Sequence, residues 1–169
     1  YLDGESLHAL IQREGCLTKA RQIQWGIELC RIINYLHSFE PIPILYLDLQ
    51  PANILISHGT LKLIDFDQSV LASAAGEMRM RYGTRGFAAP EQYSGESLDE
   101  RTDIYAIGAL LYYMGTGQSV PDMDSAAFSA GSDRLSVIVG RCLERKKEAR
   151  YQNVRDVLKD LNELGAGAF

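Results

Sequence analysis

Tyr46-Leu47-Asp48-Leu49-Gln50-Pro51-Ala52-Asn53-Ile54-Leu55 is the stretch on which the fold turns, together with Asp65-Phe66-Asp67 ten residues after Leu55. Between the two, Ile54-Leu55-Ile56 and Leu61-Lys62-Leu63-Ile64 flank His58-Gly59, which predicts a β-hairpin. A hairpin doubles the chain back, so Asn53 at its entry and Asp65 at its exit approach one another. Taken singly, Asp48 and Asn53 are turn formers around Pro51, and Asp65 is a strand-end residue. Taken jointly, an Asp, an Asn five residues later and a second Asp beyond a hairpin make one oxygen-rich constellation.

Working outward, the flanks are helical. Ser6 to Arg13 reads as a short helix with Leu7, Leu10 and Ile11 on one side and Ser6 as N-cap. Glu14-Gly15-Cys16 breaks it, Thr18 caps a long helix to about Ser38, and Pro41 and Pro43 prevent continuation. On the other side, Ser69 to Gly86 is rich in small and polar residues without a period and reads as a long, mobile loop. Beyond Glu91 the sequence predicts an apolar helix from Thr102 to Met114 closed by Gly115-Thr116-Gly117, then helices near 132–145 and 154–164. The expected fold class is mainly α with a small β-hairpin. No repeat or interdomain linker divides it.

Composition excludes several function classes. A chain of 169 residues with 46% hydrophobic and 23% charged residues buries a core of ordinary size. Seventeen Lys and Arg against 22 Asp and Glu leave a net charge of −5, with no basic excess for nonspecific nucleic-acid binding. No apolar run approaches the ~18 residues of a membrane span, and Tyr1-Leu2-Asp3-Gly4-Glu5 is no signal peptide. Cys16, Cys30 and Cys142 have no metal-ligand spacing; Cys30 and Cys142 read as core fillers, and a reducing, cytoplasmic setting is expected. Tyr1 in place of an initiator Met reads as a trimmed start.

The central block resembles the catalytic loop of protein kinases, written HRDLKPxN, followed by their metal-binding DFG motif. Three further segments carry the resemblance: Gly83-Thr84-Arg85-Gly86-Phe87-Ala88-Ala89-Pro90-Glu91, Asp103-Ile104-Tyr105-Ala106-Ile107-Gly108, and Arg150. They are similar to the segment ending in Ala-Pro-Glu, to the start of the buried central helix whose Asp braces the catalytic loop, and to the late Arg that pairs with the Glu of Ala-Pro-Glu. The resemblance covers essentially the whole chain and has the serine/threonine form at Gly83-Thr84. It implies ATP and Mg²⁺ as cofactors and a protein hydroxyl as acceptor. Asp48 would be the base, Asn53 and Asp65 the metal ligands, and Gln50 and Thr84 further catalytic-site residues. Leu2 would face adenine, Ser6 would meet ribose and Leu55 would floor the adenine site. The implied map is a hinge remnant over 1–5, catalytic loop, hairpin and metal motif over 46–67, activation and docking segment over 68–91, and helical subdomain over 92–169.

By this resemblance the chain begins downstream of the Gly-rich loop and strand Lys, so it is expected to be the C-terminal lobe, lacking the N-lobe sheet and inactive alone. The face around Leu2, Leu55 and Phe66 would then be exposed and favour self-association. Four positions depart from the pattern: Tyr46 for His, Leu47 for Arg, Gln50 for Lys and Asp67 for Gly. Leu47 removes the cation that receives a phosphorylated loop, and Gln50 brings no charge to the transferring phosphate. These departures keep two alternatives open, a non-catalytic pseudokinase scaffold and a small-molecule phosphotransferase of the aminoglycoside or choline type.

Overall fold

Side chains that cap and interrupt set the order of elements. In the computed structural model, residues 3–75, 83–121 and 133–167 are described. A two-residue strand, β1 (Glu5–Ser6), leads directly into α1 (Leu7–Glu14), where the Ser6 side chain accepts from the Ala9 amide. Thr18 caps α2 (Lys19–His37) in the same way, accepting from the Arg21 amide. After the proline-rich turn come β2 (Ile44–Leu45), then the hairpin of β3 (Ile54–Ser57) and β4 (Thr60–Leu63) around His58-Gly59.

Among the described residues there are two small sheets, where the sequence predicts one hairpin. β1 pairs antiparallel with β3, placing Ser6 opposite Leu55, to give the order β1-β3-β4. The second sheet pairs β2 with β5 (Val70–Leu71), which runs on into the short helix α3 (Ala72–Ala75). Both β5 and α3 fall inside the stretch expected as an uninterrupted loop from Ser69 to Gly86. Their structure comes from a partner strand some 25 residues upstream and from apolar contacts, neither of which has a local signature. Leu45, Leu47, Ala75 and Leu98 form a small buried cluster of their own, with Val70 and Ala72 packed against it.

The remaining elements among the described residues are helices. α4 (Pro90–Ser94) is followed by α5 (Glu100–Thr116), α6 (Arg134–Cys142) and α7 (Val154–Ala166). α5 opens on a reciprocal cap between Asp99 and Thr102, runs to Thr116, two residues past the expected Met114, and closes on Gly117 at φ 69°. It is buried almost all round, and α2, α6 and α7 pack about it. Gly108 makes the closest of these approaches: a Cβ there would stand 2.5 Å from that of Cys142 on α6. Cys30 and Cys142 are fully buried, as expected of core fillers. Among the described residues no helix is long and apolar enough to cross a membrane.

Candidate functional site

The site is built on a backbone clamp. Asp103, in the first turn of α5 and 1% exposed, accepts from the amide of Leu47 at 2.8 Å through Oδ1 and from that of Tyr46 at 2.9 Å through Oδ2. His37, the last residue of α2, lies 2.8 Å from the same Oδ2 through Nε2. Gln92 on α4 donates to the Leu47 carbonyl at 3.0 Å. Both polar backbone groups of Leu47 are thereby held, and the residue takes the left-handed conformation, φ 65°, that a leucine rarely adopts. This turn sends the Leu47 side chain into the small apolar cluster and delivers Asp48 beyond it. Neither His37 nor Gln92 carries a sequence signal for this work, since each acts across a distance only the fold closes.

Asp48 is where four hydrogen bonds converge. Gln50 Nε2 stands 3.0 Å from each carboxylate oxygen, Asn53 Nδ2 donates to Oδ2 at 2.8 Å, and Thr84 Oγ1 donates to Oδ1 at 3.1 Å. Asn53 also donates to the Asp48 carbonyl at 3.0 Å. With Nδ2 committed twice, its amide oxygen is the atom left for another partner. Four predicted residues, Asp48, Gln50, Asn53 and Thr84, are therefore in one contact set, although Thr84 lies 36 positions from Asp48.

Asp65 enters through the hairpin. The Ile64 amide donates to the Asn53 carbonyl at 3.0 Å, closing the base of β3 and β4 and bringing Asp65 to the Asn53 end. Tyr46 completes the arrangement: its hydroxyl lies 2.5 Å from the Ile64 carbonyl and 2.9 Å from that of Asp65. Its ring meets Phe66 edge-on at 5.1 Å. Burial pushes the Tyr46 hydroxyl well above its usual range, and the charges of Asp48, Asp65 and Asp103 add to the rise, so it is a fixed donor. Asp65 is exposed, at φ 63°, and one carboxylate oxygen accepts from the Asp67 amide at 3.2 Å.

The nucleotide-side predictions fare unevenly. Leu2 lies outside the described residues. Ser6 faces Leu55 across the β1-β3 pair, but its hydroxyl is engaged in capping α1. Leu55 is only 9% exposed, not bare as expected, because the Gly4-Glu5-Ser6 backbone lies over it; Phe66, at 47%, is exposed.

Below this site, Arg150 and Glu91 form a buried, two-pronged ion pair with N–O distances of 2.6 and 2.8 Å, the partnership that the Ala-Pro-Glu resemblance implies. The family model described as "Protein kinase domain" matches residues 1–164. The chain belongs to the protein kinase family. Serine/threonine-protein kinase PknB of Mycobacterium tuberculosis is 30% identical to this kinase chain over 95% of it, and the match spans 29% of PknB. The corresponding figures are 27%, 98% and 37% for serine/threonine-protein kinase A of Synechocystis sp.. For PknB of Mycolicibacterium smegmatis they are 26%, 99% and 30%. The chain thus spans about a third of the length of the curated relatives it matches.

In this kinase the Glu91–Arg150 pair ties the 83–91 segment to the helical base. Thr102 donates to Glu91 at 3.1 Å, and Arg150 also donates to the carbonyls of Glu144, Arg101 and Arg145. Thr84 therefore reaches Asp48 from a segment anchored at its far end.

Proposed function

We propose that the protein of which this chain is the helical lobe transfers the γ-phosphoryl group of ATP to serine or threonine hydroxyls of a protein. The observation that carries the reading is the convergence of Gln50, Asn53 and Thr84 on Asp48, beside a hairpin end that presents Asp65. Asp48 orients the acceptor hydroxyl and takes its proton as the new oxygen–phosphorus bond forms and the bond to the ADP oxygen breaks. Gln50 and Asn53 fix the carboxylate so that one oxygen lone pair faces the acceptor, and Thr84 holds the docking segment against it.

The oxygen set fits Mg²⁺. Asp65 offers a carboxylate and Asn53 its uncommitted amide oxygen, two hard donors of the kind Mg²⁺ takes alongside phosphate oxygens and water. Bound there, the ion supplies charge neutralisation for the transferring phosphate. Gln50 adds a hydrogen-bond donor but no charge, which lowers the expected rate relative to a lysine at that position.

Gln50 also favours a second reading, a pseudokinase, because an amide bridging both oxygens of Asp48 holds the base in a resting contact. One experiment separates the two. Full-length parent protein is assayed for transfer from Mg²⁺-ATP to protein substrate, beside an Asp48→Asn variant. Transfer that drops at least about a hundredfold in the variant establishes the kinase. No transfer by the parent, with or without ATP binding, moves the function to a scaffold.

A further inference from the structure

Of the three histidines in the chain, His37 closes on Asp103 and His58 lies in the hairpin turn. His8, in the first turn of α1, is engaged elsewhere. It is exposed, and its Nδ1 lies 3.1 Å from the Tyr113 hydroxyl on α5, 105 positions away. The two rings lie nearly parallel, 13° apart, with centroids at 6.4 Å. Tyr113 is only 5% exposed, and a tyrosine this buried is oriented by the partner its hydroxyl finds. Among the bonds described, that partner is His8.

Tyr113 also meets the segment that carries Thr84. Phe87, itself buried, packs edge-on against the Tyr113 ring with centroids 5.6 Å apart. The Phe87 and Ala88 amides both donate to the Thr84 carbonyl, at 3.0 and 2.9 Å, so residues 84–88 form one tight turn. Phe87 is therefore the buried foot of the turn whose head, Thr84 Oγ1, touches Asp48. The Glu91–Arg150 pair pins the far end of the segment, and the Tyr93 hydroxyl holds the Gly83 carbonyl; Phe87 carries the turn between them.

α1 reaches Asp48 by a second route. It packs on residues 51–53, whose Asn53 donates to the Asp48 carboxylate. The contacts thus close on themselves. From Asp48 they run through Asn53 to α1, and from α1 through His8, Tyr113 and Phe87 to Thr84 and back to Asp48. One helix holds both arms. The arm through Asn53 is direct, whereas the arm through His8 hangs on one hydrogen bond from an exposed side chain.

We propose that His8 is a positioning residue: acting through Tyr113 and Phe87, it sets how Thr84 stands against Asp48 and so how tightly the acceptor substrate is held. The inference rests on the phosphotransfer reading of Asp48 and adds a determinant of substrate affinity. Because His8 is exposed, water takes the place of its imidazole in a truncated variant, and the fold as a whole loses little. What is lost is direction. The Tyr113 hydroxyl no longer has a fixed partner, and the ring beneath Phe87 shifts. A lost hydrogen bond of ordinary net strength changes an equilibrium about three- to tenfold.

The test uses the full-length parent with His8→Ala, His8→Gln and Tyr113→Phe. The last of these keeps the ring beneath Phe87 and removes only the bond to His8. In His8→Ala and Tyr113→Phe the Phe87 and Ala88 amides should exchange with solvent about three- to tenfold faster, while the urea midpoint moves by less than about 0.5 M. The KM for protein substrate should rise by a similar factor, with kcat and the KM for ATP shifted less than about twofold. His8→Gln, whose amide can meet the Tyr113 hydroxyl, should restore both readouts. Unchanged exchange in both His8→Ala and Tyr113→Phe overturns the proposal, as does a His8→Gln protein no better than His8→Ala. No transfer by the parent, with faster exchange in the two variants, would sink phosphotransfer and leave the link from α1 to Thr84 standing. Transfer whose substrate KM ignores all three variants does the opposite.

Discussion

Replacing Arg150 by leucine tests whether the helical base of this chain is held electrostatically. Arg150 is 1% exposed, and its guanidinium makes five hydrogen bonds: two to Glu91 and one each to the carbonyls of Glu144, Arg101 and Arg145. Leucine fills most of the volume but strands the Glu91 carboxylate, itself 2% exposed, with Thr102 as its remaining donor among the bonds described. Breaking a buried pair on one side costs about 3–5 kcal/mol. Summing the five bonds separately would overstate it, because they share one rigid group and are not additive. Against a total stability of about 5–15 kcal/mol this is a large fraction. With a urea m-value of about 2 kcal/mol/M, the unfolding midpoint should fall by about 2 M.

Trp25 is the single tryptophan and is 3% exposed, so its fluorescence reports unfolding directly. The companion Glu91→Leu/Arg150→Leu protein removes both charges and should recover about 2 kcal/mol of the loss, since no carboxylate is then left buried alone. Two results refute the reasoning. One is a loss below about 1 kcal/mol for Arg150→Leu at unchanged m; the other is a double variant as unstable as the two single losses added.

Other residues give sharper local expectations. Burial pushes the Asp99 carboxyl up, but hydrogen bonds from Arg101 and then Lys147 outweigh it and hold it at about 2, below the ordinary 3.8. Its contribution is therefore complete above pH 4 and lost as pH falls toward 2; after allowing for solvent screening it is about 1 kcal/mol. Arg101→Gln should flatten the acid limb of a stability–pH curve, and an unchanged limb would count against the assignment. Burial raises the Cys30 thiol well above its usual range and pushes Cys142 up to about 12, whereas Cys16 is exposed. A thiol reagent at pH 8 should label Cys16 alone in the native protein and all three cysteines in urea; native labelling of Cys142 would mean that α5 and α6 are not packed as described. Gly108→Val forces a side chain into Cys142 on the facing helix and should cost about 1–3 kcal/mol, read from the urea midpoint, with a neutral result refuting the close approach. Leu47→Arg places a cation in the Leu45-Ala75-Leu98 cluster; stability should drop by about 1–3 kcal/mol, and amide exchange across 70–75 should quicken. Unaltered exchange there would show that the cluster does not hold α3.

What the sequence made legible follows how local each determinant is. Ser6 and Thr18 begin their helices where a short polar side chain meets an apolar period, and the structure uses both as caps. The hairpin register around His58-Gly59 is likewise local. The partnership of Glu91 with Arg150 is not local, and it was readable only because the family resemblance carries it. Where neither local chemistry nor resemblance spoke, the reading missed. β5 and α3 carry no local signal, because Val70-Leu71 is too short a run to mark a strand without β2 beside it. The grip of Gln92 on Leu47, and the closure of His37 on Asp103, join residues whose neighbours in sequence give no hint of them. At Ser6 the family pattern points to a ligand contact, and the structure adds a local role, since its hydroxyl accepts from the Ala9 amide and caps α1.

The departures from the family motif share a physical logic. Two of the four, Leu47 and Gln50, stand where the motif has a cation, and each is engaged inward instead. Leu47 is buried in an apolar cluster that carries α3, so the segment following Asp65 is held by hydrophobic contact where an arginine would await a phosphate. Gln50 spends its amide on both oxygens of Asp48, replacing a cation beside the carboxylate with a neutral donor that fixes its orientation. Asp67 is exposed, and the bond from its backbone amide to Asp65 is one that any residue at this position could make. Tyr46 anchors the same stretch from beneath through two carbonyls. Among the described residues no buried side-chain polar atom lacks a partner. Around Asp48 neutral hydrogen bonds and apolar packing stand in place of charge, which predicts a 46–53 segment that is set before any phosphate arrives.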